Sequence, residues 1–116
     1  MVEKFECDKE AFMLSFRKTI LHARIDNFIS QIELARVTGL SRQFISKLES
    51  GRQSPSFENF CVIAKGLGVD PPELLRRFFE TYYVEFALLK QRRAELDMFK
   101  NETRSMSCLK TNNEES

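Results

Sequence analysis

Residues Gln31 to Ser50 read QIELARVTGLSRQFISKLES. Apolar or small side chains recur at Leu34, Ala35, Val37, Leu40, Ile45 and Leu48, with Gly39 between the two halves. That spacing predicts two short helices joined by a tight corner, because a single strand would alternate and one long helix would not carry glycine at its centre. The boundaries are written in side-chain chemistry. Ser30 followed by Glu33 forms a capping box, in which the hydroxyl accepts a first-turn amide and the carboxylate returns the bond. Gly39 can take the left-handed conformation that ends helix 2 near Thr38. Ser41 then caps helix 3, which stops at Gly51.

Winding helix 3 at about 100° per residue gathers Arg42, Gln43, Ser46, Lys47 and Ser50 into one arc of roughly 140°. Phe44, Ile45 and Leu48 fall in the opposite arc. A helix buried on one side and lined with hydrogen-bonding groups on the other is amphipathic, which any wet surface helix can be. A small residue (Ala35) in the preceding helix and the glycine corner make the pair a helix-turn-helix, whose second helix enters the major groove of DNA. Arg suits the paired acceptors of guanine, Gln the acceptor–donor pair of adenine, and Lys guanine or a phosphate.

Outward from this pair the chain is helical throughout, and no strand-like alternation appears. Asp8 caps a first helix reaching about Arg24, with Phe12, Phe16, Ile20 and Ala23 on one face. Ser56 caps a fourth, with Phe57, Phe60, Ile63 and Ala64, ending at Gly66 or Gly68. Asp70-Pro71-Pro72-Glu73 opens a fifth, since proline suits a first helical turn. No Pro or Gly follows Glu73, so this helix can run to about Lys100. The expected organisation is all-α with five helices: a helix-turn-helix domain over 8–72, the extended C-terminal fifth helix over 73–100, and a disordered polar tail over 101–116.

Composition bounds the function. A chain of 116 residues buries one modest core. Net charge is only +1, but the basic residues cluster. Arg17, Lys18, Arg24, Arg36, Arg42, Lys47 and Arg52 face only Asp26, Glu33 and Glu49 between positions 17 and 54. The positive field is local to the helix pair. The three cysteines, Cys7, Cys61 and Cys108, are scattered, and His22 stands alone, so no metal or cofactor site is expected. A glycine-rich phosphate loop, clustered carboxylates and a nucleophile–His pair are all missing from the sequence, so an enzyme and a small-molecule binder are not expected. Neither a signal peptide nor a membrane span is evident, and a cytoplasmic protein is expected.

Arg24, Ser30-Gln31, Leu34-Ala35, Gly39, Ser41, Ile45-Ser46, Leu48-Glu49, Gly51, Pro55 and the later IAKGLGVDPPELL resemble the lambda-repressor-like, Cro-type (xenobiotic-response-element type) helix-turn-helix regulators over about Phe16 to Leu75. The resemblance implies a five-helix domain that binds double-stranded DNA, usually as a dimer on a palindromic operator. Matched by position, Arg42, Gln43 and Lys47 are the base readers, with Ser46 and Ser41 in support. Gln31, Ser41, Ser50, Arg52 and Ser54 hold the phosphate backbone. Arg24 and Glu49 form an internal ion pair. One departure stands out: Phe28 occupies a position before helix 2 where relatives often have Gly, so the approach loop differs.

Helix 5 carries two registers seven residues apart. One is Leu75, Tyr82, Leu89 and Leu96; the other is Phe79, Phe86, Arg93 and Lys100. Residues up to about Phe79 can close the domain's own core. Beyond them an apolar stripe is expected to pair two copies, with Phe79, Tyr82, Tyr83, Phe86 and Leu89 as the homodimer interface. The functional expectation is a sequence-specific regulator, a repressor on a palindromic site. The rival readings are an antitoxin or a protein–protein interaction module that docks a protein partner on the C-terminal helix.

Overall fold

The computed structural model describes residues 4–115, with side chains as far as position 103. Five helices follow in order: α1 (Lys9–Asp26), α2 (Gln31–Thr38), α3 (Arg42–Glu49), α4 (Phe57–Leu67) and α5 (Pro71–Glu115). No strand occurs among the described residues. Four helices begin with a side-chain oxygen that takes an otherwise orphaned amide of the first turn. Asp8 accepts from Ala11, Ser30 from Glu33, Ser41 from Phe44 and Ser56 from Asn59. Gly39 ends α2 at a φ of 76°, a conformation a Cβ would penalise.

Ile20, Ala23, Leu34, Ile45, Leu48, Phe60, Ile63, Ala64, Leu67 and Leu74 form the buried core, each helix contributing at least one member. Gly66 lets α4 approach α2: a Cβ added there would stand 2.6 Å from Thr38 Cγ2 and 3.2 Å from Leu34 Cδ1. It lies inside α4, and Gly68 is the cap that ends the helix. An aromatic layer adjoins this core, with Phe16 stacked on Phe78 at 4.3 Å and Phe12 edge-on to Phe78 and Tyr82.

The chain divides into two compact units between Glu85 and Phe86. The expected boundary lay earlier, at Pro72. It moves because Leu74, Phe78 and Tyr82 of α5 are core residues of the first unit. Tyr82 requires a correction to the expected exposed stripe, since it is 0% exposed within a single chain. Phe5 tilts onto its ring at 5.4 Å, the Asp8 amide donates to its hydroxyl at 3.0 Å, and the hydroxyl donates to the Glu6 carbonyl. The segment before α1 covers the ring that the sequence reading left bare. Phe79 is half-buried and Tyr83 exposed, and Lys18 of α1 pairs with Glu85 at 2.5 Å.

In the second unit, Leu89 is also buried, at 7% exposure, and Phe86 is half-buried with Lys90 Nζ 4.3 Å from its ring centre. Leu88, Leu96, Met98 and Phe99 are exposed. The backbone stays helical to Glu115, past Lys100, because nothing from Glu73 onward breaks a helix. The disordered tail expected over 101–116 is therefore corrected: its backbone continues α5 to Glu115, while the side chains from position 104 onward, Cys108 among them, lie outside the described residues.

Candidate nucleic-acid interface

The α2–α3 corner sets one face of α3 against the core and the other against solvent. Ile45 and Leu48 are fully buried, while Arg42, Gln43, Ser46 and Lys47 are exposed. The helical arc drawn from the sequence is therefore the exposed arc. The tertiary fold extends it with residues no helical wheel could supply. Gln31 from the start of α2 and Arg52 from the loop after α3 join Arg42, Gln43, Ser46 and Lys47 in lining one open concavity of about 470 Å³.

Its chemistry suits a polyanion with readable edges. Among the described residues no ion pair occupies Arg42, Lys47 or Arg52. Three cations are thus left for an outside partner. Gln31, Gln43 and Ser46 add neutral donors and acceptors, the mix that reads base edges while cations hold phosphates. No group of three or more His, Cys, Asp or Glu side chains that could hold a metal occurs among the described residues. No described helix is long and apolar enough to cross a membrane.

The serines are less uniform. Ser41 is exposed, and its oxygen accepts the Phe44 amide at 3.1 Å, leaving its proton available to a phosphate. Ser50 is exposed too, but its hydroxyl donates to the Lys47 carbonyl at 3.0 Å. In that rotamer it offers lone pairs, and a phosphate needs a donor. Ser54 is exposed in the loop before α4. None of these three lines the concavity.

Behind the interface lies a brace. Arg24 donates from Nε to Glu49 Oε2 at 2.9 Å and from Nη2 to Oε1 at 2.7 Å, a two-pronged pair. Its remaining nitrogen, Nη1, donates to the Ile29 carbonyl at 2.8 Å. One guanidinium thus ties the end of α3 to the turn before α2. The side chains are 15% and 5% exposed. Arg17 adds a bond from Nε to the Glu49 carbonyl at 3.0 Å, a tie the sequence reading missed. The turn itself is strained. Phe28 has a φ of 56° and is 93% exposed. A left-handed conformation costs a residue with a Cβ about 1–2 kcal/mol, and this ring recovers almost nothing by burial.

A helix-turn-helix family model matches residues 23–74. No curated protein matches the chain. Among solved structures, the restriction-modification controller protein C.AhdI from Aeromonas hydrophila is 30% identical, with 55% of this chain covering 97% of that one at a TM-score of 0.52. A hypothetical transcription factor, NHTF, from Neisseria is 28% identical, over 65% of this chain and 86% of its own, at 0.53. The controller protein C.Esp1396I, solved as a tetramer in complex with its natural 35 base-pair operator, is 21% identical over 70% of this chain and 99% of its own. Its TM-score is 0.59, and at that identity the likeness speaks for the fold.

Proposed function

The chain belongs to the lambda-repressor-like helix-turn-helix family, and from that premise we propose that it is a sequence-specific DNA-binding transcriptional regulator, a repressor acting in the cytoplasm as a homodimer on a palindromic operator. The observation that carries the reading is the concavity around α3, where Arg42, Gln43, Ser46 and Lys47 are presented together with Gln31 and Arg52. Arg42, Gln43 and Lys47 would meet base edges in the major groove, with Ser46 beside them. Gln31, Ser41 and Arg52 would hold phosphates on either side, and Ser54 would extend that grip. Ser50 would join them only after turning its hydroxyl away from the Lys47 carbonyl. The similar controller proteins and transcription factor support the class of function.

A net charge of +1 supplies little non-specific attraction, so a single reading face grips DNA weakly. Two copies related by a two-fold axis would place their recognition helices about 34 Å apart, one turn of the duplex. Exposed apolar side chains on α5 favour such pairing: Tyr83 and Val84 in the first unit, Leu88 and Leu96 in the second. Tyr82 and Leu89, already buried within one chain, would contribute only indirectly. Repression asks nothing more of the protein than occupancy of a promoter. Selection of duplexes from a randomised pool tests the reading. The expected product is an inverted repeat with half-sites one turn apart, and a pool that stays random after repeated rounds would overturn it.

A further inference from the structure

We infer that Phe28 is a DNA-contacting residue, its ring packing on the sugar–phosphate wall beside the phosphate held by Gln31; this rests on the DNA-reading function proposed above. Folding gives no reason for a phenylalanine here. The backbone is left-handed, with φ 56°, where glycine would be unstrained. The ring is 93% exposed, so it repays none of that strain by burial. A side chain that weakens the free protein and is displayed to solvent points to a partner.

Three observations favour DNA as that partner. Phe28 is three residues before Gln31 in sequence, so at most ~11 Å of extended chain separates them. Each strand carries one phosphate per about 3.4 Å of helix axis, so the backbone next to a phosphate at Gln31 runs within reach of the ring. The turn is also registered to the recognition helix. Arg24 holds the Ile29 carbonyl at 2.8 Å with one nitrogen and Glu49, the last residue of α3, with the other two. Hence the position of Phe28 is fixed by the same buried ion pair that fixes the reading face. Deoxyribose presents C–H groups between the charged oxygens, an apolar surface that an aromatic ring can cover. Ile25 and Ile32, 54% and 62% exposed, flank Phe28 in sequence and would suit a protein partner as well. The brace to α3 decides for the duplex.

The experiment titrates a duplex selected by the wild-type protein with Phe28→Ala and Phe28→Gly, across a range of salt. The expected result is binding about five- to twentyfold weaker for both, with the slope of log K against log salt unchanged, because a ring releases no counterions. Thermal stability of Phe28→Gly should stay level or rise, since the strain is removed. A Phe28→Trp variant carries the only tryptophan of a chain that has none, and its emission should shift when the operator saturates the protein. Unchanged affinity with unchanged emission would overturn the inference while leaving the proposed function intact. So would unchanged affinity with reduced self-association, which would assign Phe28 to a second copy. A wild-type protein that selects no sequence would overturn both.

Discussion

Removing Glu49 is the sharpest probe of how the interface is held. Its carboxylate receives two bonds from Arg24, at 2.7 and 2.9 Å, and the two side chains are 5% and 15% exposed. A pair this dry does little for net stability, because desolvation offsets most of the attraction. Breaking it from one side is different. Glu49→Leu leaves a guanidinium with one carbonyl partner and almost no water. Unpaired buried charges cost about 3–5 kcal/mol, and the residual exposure of Arg24 places this one near the lower end, about 3 kcal/mol. For a domain of this size, 1 kcal/mol moves the melting temperature by about 4–8 °C, so a fall of at least ~12 °C is expected. Arg24→Met should cost no less, because it strands Glu49 and also frees the Ile29 carbonyl. The double variant Arg24→Met/Glu49→Leu should recover much of the loss, since no charge remains buried. Thermal and urea unfolding followed by circular dichroism on all four proteins closes the cycle. Additive losses, or a single-variant cost below about 1 kcal/mol, would refute the reasoning and make the pair an ornament.

Other expectations follow from particular contacts. Gly66→Ala places a Cβ 2.6 Å from Thr38 Cγ2 and should destabilise by about 1–3 kcal/mol through overpacking, measurable by urea unfolding. Tyr82→Phe removes the hydroxyl's bonds with the Asp8 amide and the Glu6 carbonyl; a loss of about 1–2 kcal/mol is expected, with earlier proteolysis of the N-terminal segment. The Arg76 guanidinium, with Arg77 beside it, holds the Glu73 carboxyl at about 2, below its ordinary 4.5. Its contribution to stability is complete above about pH 4.5 and is lost as pH falls toward 2. Glu73→Gln should therefore flatten the acid limb of a stability–pH curve recorded at low salt. Leu88→Glu should shift sedimentation at micromolar concentration from dimer toward monomer, if the exposed face of the second unit pairs two copies.

What the sequence disclosed was what short-range chemistry encodes. Ser30, Ser41 and Ser56 sit three residues before the amides they cap, so local order alone announces them. The exposed arc of α3 was legible because Ile45 and Leu48 fix which side is buried. Arg52's place beside it came only through the family resemblance, since a loop has no period to extrapolate. Tyr82 was misplaced for a related reason. Its cover comes from Phe5 and Glu6, 76 positions away for the Glu6 carbonyl, in a segment with no helical spacing to flag it. Phe28 was visible as an oddity against its relatives, but the left-handed backbone that makes glycine natural there is a property of the folded turn.

The proposed reading of base sequence by α3 runs through Arg42 and Lys47. Its most direct measurement compares wild-type protein with Arg42→Ala/Lys47→Ala on the selected operator and on a scrambled duplex at one salt concentration. Each good base contact is worth about 1–3 kcal/mol of discrimination, and a dimer makes each twice. Two side chains in two copies make four contacts, together at least about 4 kcal/mol, so preference for the operator should fall by at least ~500-fold while the variant keeps its melting temperature. An unaltered preference for the operator in a folded variant would contradict it.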